Sequence, residues 1–302
     1  MRFGCTVTAR RAPRTLRNAS ESAKSCWNSR AVPSRRRRVP DPSARRLRWA
    51  AALLVLAAAG CTGTLRRAPV QEAPPTPAWE DVYRILARRH AAFASFQGQG
   101  SLVYESEQES IRTAQMIVVK APDKVRIDFR SPFTLTYTVT SDGRELAAYD
   151  RGEKVLYRGA PTVEHLARYA RVPVPLIALT ALLRGLPPLP DESAGGTIQA
   201  VEDGWLWTGK LDATSQITVV LDPNTTNVRQ VRMMTADGIL DVTFDRYEEV
   251  GGERAAHRIR AQLPGGARVE IRYGTIWLDR KHQDSAFHLH APKGVRVIDM
   301  GA

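Results

Sequence analysis

The sequence predicts a mainly β domain with helices, in which one strongly curved antiparallel sheet carries three helices on its concave side. Two observations predict it. From Gly98 onward, short segments alternate apolar and polar residues and are separated by turn signals, and eleven to thirteen of them can be counted against three stretches of helical spacing. The chain from residue 79 to 302 shows no repeat and no second linker, so its roughly 225 residues form one core of barrel or sandwich size.

The chain opens on a segment of different chemistry. Residues 1–60 hold 14 of the 44 Lys and Arg but only Glu21 and Asp41 of the 31 Asp and Glu, a net of +12 out of +13. That leaves +1 for residues 61–302, which argues against nucleic acid as a partner of the folded part. Residues 1–43 are Arg-rich, with Ser and Pro and no apolar pattern, and read as unstructured or as lying upstream of the true start. Arg45-Arg-Leu-Arg-Trp49, the apolar run Ala50–Ala59 and Gly60-Cys61 then form a positive region, an apolar region and a small-residue cut site. The run is about ten residues, half the roughly twenty that a membrane-spanning helix needs.

Leu56-Ala-Ala-Ala-Gly-Cys61 resembles the lipobox of bacterial lipoprotein signal peptides. The resemblance implies that the chain is exported, cut before Cys61 and anchored by a diacylglyceryl group on that cysteine. Cys5 and Cys26 lie in the leader, so Cys61 is left without a disulfide partner, which fits lipidation of its thiol. Thr62 is not the aspartate associated in some bacteria with inner-membrane retention, so the outer membrane is the expected location, with the domain facing the periplasm. Residues 61–78 contain Pro69, Pro74, Pro75 and Pro77 and read as an extended tether to the domain at 79–302.

The domain begins with an amphipathic helix. Thr76 and Pro77 suit a helix start, Glu80 and Asp81 favour the positive end of its dipole, and Val82, Ile85, Leu86, Phe93 and Phe96 follow helical spacing. Strands are expected at 99–105, 111–120, 124–130, 134–140, 145–149 and 153–158. Thr162 caps a helix to about Tyr169, and Val172-Pro-Val-Pro-Leu176 leads into an apolar helix that stops near Gly185. Strands resume at 198–201, 205–210, 215–221, 227–235, 239–247, 256–263 and 267–276, with an extended piece near 295–299.

In the segment 176–186, Leu176, Ile177, Leu179, Leu182, Leu183 and Leu186 are apolar on more than one face. Such a helix is either fully buried in a core or lines an apolar cavity. Trp205 and Trp207 share one strand face, and barrel packing and cavity lining are open to them alike. Met233 and Met234 offer adaptable apolar surface or plain core.

The stretch Arg171-Val-Pro-Val-Pro-Leu-Ile-Ala-Leu-Thr-Ala-Leu-Leu-Arg-Gly-Leu-Pro187 resembles the Pro-x-Pro-Leu…Leu-x-Gly-Leu-Pro helix of LolB-type outer-membrane lipoprotein receptors. Trp79, the Gly100 strand, Phe129-Arg-Ser-Pro-Phe133 as the counterpart of an Asn-Pro-Leu-Gly loop, and Ile276-Trp277 follow in the order of that family. The resemblance implies an incomplete antiparallel β-barrel of about eleven strands, of the LolA/LolB fold, with three helices plugging its concave side. It further implies an apolar cavity that takes acyl chains of lipoproteins from a LolA-like periplasmic chaperone and delivers them to the outer membrane. Phe133, after Pro132, holds the place of the apolar loop tip that takes part in delivery, and Thr134 stands where the family has glycine. A turn aromatic folded back on the core is the other reading of Phe133. With this resemblance the 176–186 helix is expected to line the cavity, and the carrier reading requires open space beneath residues 172–186. The alternatives are a lipoprotein that binds another lipid or glycolipid in the same cavity, and a structural envelope lipoprotein that docks protein partners.

No enzyme constellation is found. The sequence has no Gly-x-Ser-x-Gly elbow, His-Glu-x-x-His helix or phosphate-binding glycine loop, so no catalytic residue and no cofactor is expected. His288 and His290 with His282 and Asp284 read as scattered surface residues, so no metal is expected either, and Glu248-Glu249 read as a turn pair pointing apart.

Overall fold

The computed structural model describes residues 75–301 except 132–133, 192, 194, 203 and 212–214. The leader, Cys61 and most of the tether therefore lie outside the described residues.

Among the described residues the alternating segments form one sheet and the helical ones three helices. In chain order the elements are α1 (Trp79–Ala92), β1 (Ser95–Glu105), β2 (Ser110–Lys120), β3 (Lys124–Ser131), β4 (Thr134–Ser141), β5 (Leu146–Asp150) and β6 (Val155–Gly159). The insert α2 (Val163–Ala170) and α3 (Leu176–Leu183) follows. Then come β7 (Thr197–Val201), β8 (Gly204–Lys210), β9 (Gln216–Leu221), β10 (Val228–Thr235), β11 (Gly238–Val250), β12 (Glu253–Gln262) and β13 (Arg268–Leu278). A 3₁₀ turn at Asp284–Phe287 leads to β14 (Arg296–Asp299).

The spatial order is β14-β6-β5-β4-β3-β2-β1-β13-β12-β11-β10-β9-β8-β7. The sheet is open, with β14 and β7 at its two edges, and every pairing is antiparallel except β14 on β6. Fourteen strands exceed the eleven to thirteen expected, since the extended piece near 295–299 pairs in parallel with a strand some 140 positions earlier, a long-range pairing that leaves no local pattern. The helical insert connects β6, beside one edge, to β7 at the other, so it has to cross the face between them. That crossing puts the helices and the apolar strand faces into one core.

Local signals account for the helix ends. Thr162 caps α2 by accepting from the His165 N–H at 3.2 Å. The apolar helix α3 stops at Arg184, and Gly185 follows at φ 74, left-handed backbone that suits glycine. α1 buries Trp79, Val82, Leu86 and Arg89, three or four residues apart along one stripe. It ends earlier than the spacing of Phe93 and Phe96 predicts. Phe93 closes its last turn onto the Arg89 carbonyl, and from Ser95 the backbone is taken up by β2 on one side, with β13 joining on the other from Phe96. Both phenylalanines remain buried, so burial fits the sequence pattern and the helical assignment of Phe96 does not.

Gly100 meets a close approach. An added Cβ would lie 1.8 Å from the Arg272 carbonyl oxygen, beside the register shift between β1 and β13. On the other sheet face the 3₁₀ turn lies over β3. Phe287 is buried there, Arg126 donates to the Ala286 carbonyl at 3.1 Å, and Lys120 and Lys124 both pair with Asp284. Among the described residues no helix is long and apolar enough to cross a membrane.

Candidate functional site

Along the strands, burial on the helix-bearing face changes from one end to the other. On β2 the residues of that face are Val119, Ile117, Gln115, Thr113 and Ile111. The first three are buried, Thr113 is half-buried and Ile111 is 42% exposed. β1 grades from buried Phe96 and Gly98 to half-buried Leu102 and Tyr104, and β13 from buried Tyr273 and Ile271 to half-buried Val269. β3 and β4 do the same from Val125, Ile127 and Val139 to Phe129 and Tyr137. Register aligns the grades, with Ile111, Tyr104 and Val269 in one row and Gln115, Gly100, Phe129 and Tyr137 in a deeper one.

The result is an open end, where apolar side chains of several strands are half-exposed on the face that carries the helices. The turns at 106–109, 236–237 and 263–267 close the hairpins at this end. Ser131 and Thr134, which pair at the ends of β3 and β4, lie at this end as well. Pro132 and Phe133 themselves lie outside the described residues. The rim carries the Arg171–Glu109 ion pair at 3.3 Å, and behind it the Tyr137 hydroxyl donates to the Tyr169 carbonyl at 3.2 Å. Burial, with Asp150 nearby, pushes the Tyr137 phenol above its ordinary range, so this group stays neutral.

The opposite end is closed by α3 and its flanks. Leu176, Leu179, Leu182, Leu183 and Leu186 are buried in one continuous core with the strands, whereas Ile177 is 55% exposed. The polar groups around α3 are partnered, although the buried Trp207 Nε1 is not. The Thr180 hydroxyl donates to the Pro122 carbonyl, Arg184 donates to the carbonyls of Thr180 (2.9 Å) and Phe93 (3.2 Å), and the Tyr273 hydroxyl donates to that of Leu183 (2.8 Å). Burial without a carboxylate partner brings the Arg184 guanidinium down to about 10. Trp207 is fully buried and stacks on Trp79, with ring centroids 4.5 Å apart, and Trp205 is half-buried on the same strand. The residues expected to line a cavity beneath 172–186 are, Ile177 and Trp205 apart, buried in one continuous core with the strands. Between α1 and β9, the gap bounded by Val82, Ile85, Leu86, Leu221 and Thr226 has no room for a water molecule.

A groove of about 490 Å³ lies elsewhere and has other chemistry, being lined by Arg112, Arg260, Arg268 and Arg272 with Glu105, Asp241 and Glu270. These residues alternate with the apolar set of the same strands, so they belong to the sheet face without helices. Met234 and Ile239 pair on that face and are exposed, while Met233 is core.

Asp284 is held by two lysines, and His288 lies 3.5 Å from Asp142. Among the described residues no three His, Cys, Asp or Glu come together as metal ligands. Glu248 and Glu249 sit on β11 rather than in a turn, and strand alternation points them apart.

Sequence reasoning missed the half-exposed set Leu102, Tyr104, Ile111, Phe129, Tyr137 and Val269. Alternation marks each as facing one side of its strand, but only cross-strand register shows that they meet at one end.

No protein-family profile matches the sequence, and no curated protein matches it. Solved structures do match by shape. A LolA superfamily protein from Nitrosomonas europaea aligns over 70% of this chain and 98% of its own, with a TM-score of 0.51 and 11% identity. A domain assigned to outer membrane lipoprotein sorting, from Vibrio parahaemolyticus, covers 69% and 95% with a TM-score of 0.51 and 12% identity. A DUF1329 family protein from Desulfovibrio piger covers 70% and 98% with a TM-score of 0.52 and 14% identity. At these identities the likeness is one of fold alone, an open, incomplete barrel.

Proposed function

We propose that this protein is a lipid-anchored, non-enzymatic carrier that binds the acyl chains of lipoproteins against the helix-bearing face of its sheet. It receives them from a LolA-like periplasmic chaperone and delivers them to the outer membrane, to which Cys61 anchors it. The observation that carries the reading is the open end, where half-exposed apolar residues from five neighbouring strands face the side occupied by the helices. A fold shared with lipoprotein-sorting domains supports the same class of ligand. Burial of each methylene contributes about 0.8 kcal/mol, so a chain laid along this surface is held without a covalent step.

Because α3 is buried in one core with the strands, a chain enters at the open end, and the space it needs beneath residues 172–186 opens as α3 and its flanks shift, which makes them a movable plug. The continuous core around α3 also favours a second reading, a structural lipoprotein that docks protein partners and carries nothing. Phe133→Glu, expressed as the full chain in cells lacking the native copy, separates the two. Mislocalised lipoproteins with normal protein levels support the carrier, and normal localisation removes the delivery role. Lipids extracted from the purified protein and identified by mass spectrometry distinguish lipoprotein acyl chains from another lipid or glycolipid as cargo.

A further inference from the structure

On β2, one polar side chain sits where the helix-bearing face changes from open to packed. Exposure on that face falls from 42% at Ile111 to 2% at Gln115 and to nothing at Ile117 and Val119. Gln115 brings two donors and one acceptor to this point, and neither its Nε2 nor its Oε1 has a partner. Its in-register neighbours satisfy neither atom. Gly100 has no side chain, Phe129 is apolar, and beyond Phe129 the Tyr137 hydroxyl is committed to the Tyr169 carbonyl. An unpaired amide in an apolar interior works against folding, and leucine would fill the position without that cost. A side chain kept there against stability calls for a partner that arrives from outside.

We propose that Gln115 is the polar anchor of the binding site, donating through Nε2 to the ester or amide carbonyl of an acylated amphiphile whose tails pass inward beneath α3. This inference rests on the carrier reading and specifies its ligand: the carbonyl linkage is recognised, not only the hydrocarbon. The position suits the chemistry. Four residues of strand, about 13 Å, separate Gln115 from Ile111 at the rim. Tails therefore lie on the packed side of the amide, and the glyceryl group and what it carries lie on the open side.

The test compares dipalmitoylglycerol with the dialkylglycerol ether of the same chain length, which has equal tails and no carbonyl. Both are titrated into the full chain, as wild type and as Gln115→Leu, by displacement of a fluorescent fatty acid, and the ligand-free proteins are melted in parallel. The expected result is a preference of wild type for the ester of about tenfold, lost in Gln115→Leu, with a melting temperature a few degrees higher in the variant. Gln115→Met is the second variant should leucine not fold. Equal binding of ester and ether by wild type, or a preference that survives substitution, overturns the inference. So does a lowered melting temperature in both variants, which would mean that the amide is satisfied in the empty protein. If neither lipid binds wild type, the carrier reading itself falls, an outcome distinct from binding without ester preference.

Discussion

The two ends of the helix-bearing face are built from the same kinds of residue and differ in how completely they are packed. At the α3 end, Leu179, Leu182 and Leu186 are buried, and Arg184, Thr180 and Tyr273 all reach backbone carbonyls. At the other end Leu102, Tyr104 and Ile111 stay half-exposed and Gln115 has no partner. Stability is thus concentrated at one end, and the other is left with apolar surface that a ligand can cover. Ligand-binding regions are drawn from the less stable parts of a fold, because a surface already satisfied by its own chain has nothing to offer a guest.

Paired truncations test this difference most strongly. Leu186→Ala removes a fully buried side chain and should cost about 3 kcal/mol, whereas Leu102→Ala, at a half-exposed position, should cost about 1 kcal/mol or less. Urea unfolding of the two variants measures the gap, and equal losses would mean that the open end is as tightly packed as the closed one.

Acid should weaken the closed end by a comparable but smaller amount. His90, on α1, faces the segment after α3, 2.8 Å from the Pro187 carbonyl, and burial, helped by the Arg184 charge, lowers its pKa to about 4. The folded state therefore disfavours the proton that the unfolded chain takes up near pH 6.5. The contribution of neutral His90 is complete above that pH and is lost as pH falls from about 6.5 to 4, about 3 kcal/mol for a fully shielded ring and on the order of 2 kcal/mol once solvent screening of this partly buried one is counted. His90→Gln should remove this slope from the stability profile, and an unchanged slope would assign the acid sensitivity to other groups.

The smallest effect is expected at Ile177, the one apolar residue of α3 that points outward. Ile177→Ser should change stability by no more than about 0.5 kcal/mol. A larger loss would show that this side chain is covered in solution, either by a bound molecule or by another part of the chain.

Much of the fold could be read from the residues. Alternation located the strands within a few positions, Thr162 and Gly185 bounded the insert, and the excess of apolar residues at 176–186 announced burial. What local pattern does not carry is register and long-range pairing. β14 joins the sheet beside β6, and Phe96 turns from helix to strand because β2 and β13 claim its backbone. The candidate site fared unevenly for the same reason. The leucines of α3 were recognisable as apolar on more than one face, but whether they bound a hollow or fill one depends on the sheet across from them. Gln115 left a trace in the sequence: stepping back by twos from Val119 and Ile117 lands on it, a polar residue on an apolar face. Its significance emerged only with the neighbours that fail to pair with it.

On the proposed function, the open end is the surface that meets acyl chains. A cysteine at Ile111, labelled with an environment-sensitive dye, reports on that surface directly, and the same label at Ile239 reports on the face without helices. Titration with a diacylated lipopeptide below its micelle concentration should give a saturable blue shift at position 111 and none at 239. No shift at 111, or equal shifts at both positions, would contradict the account.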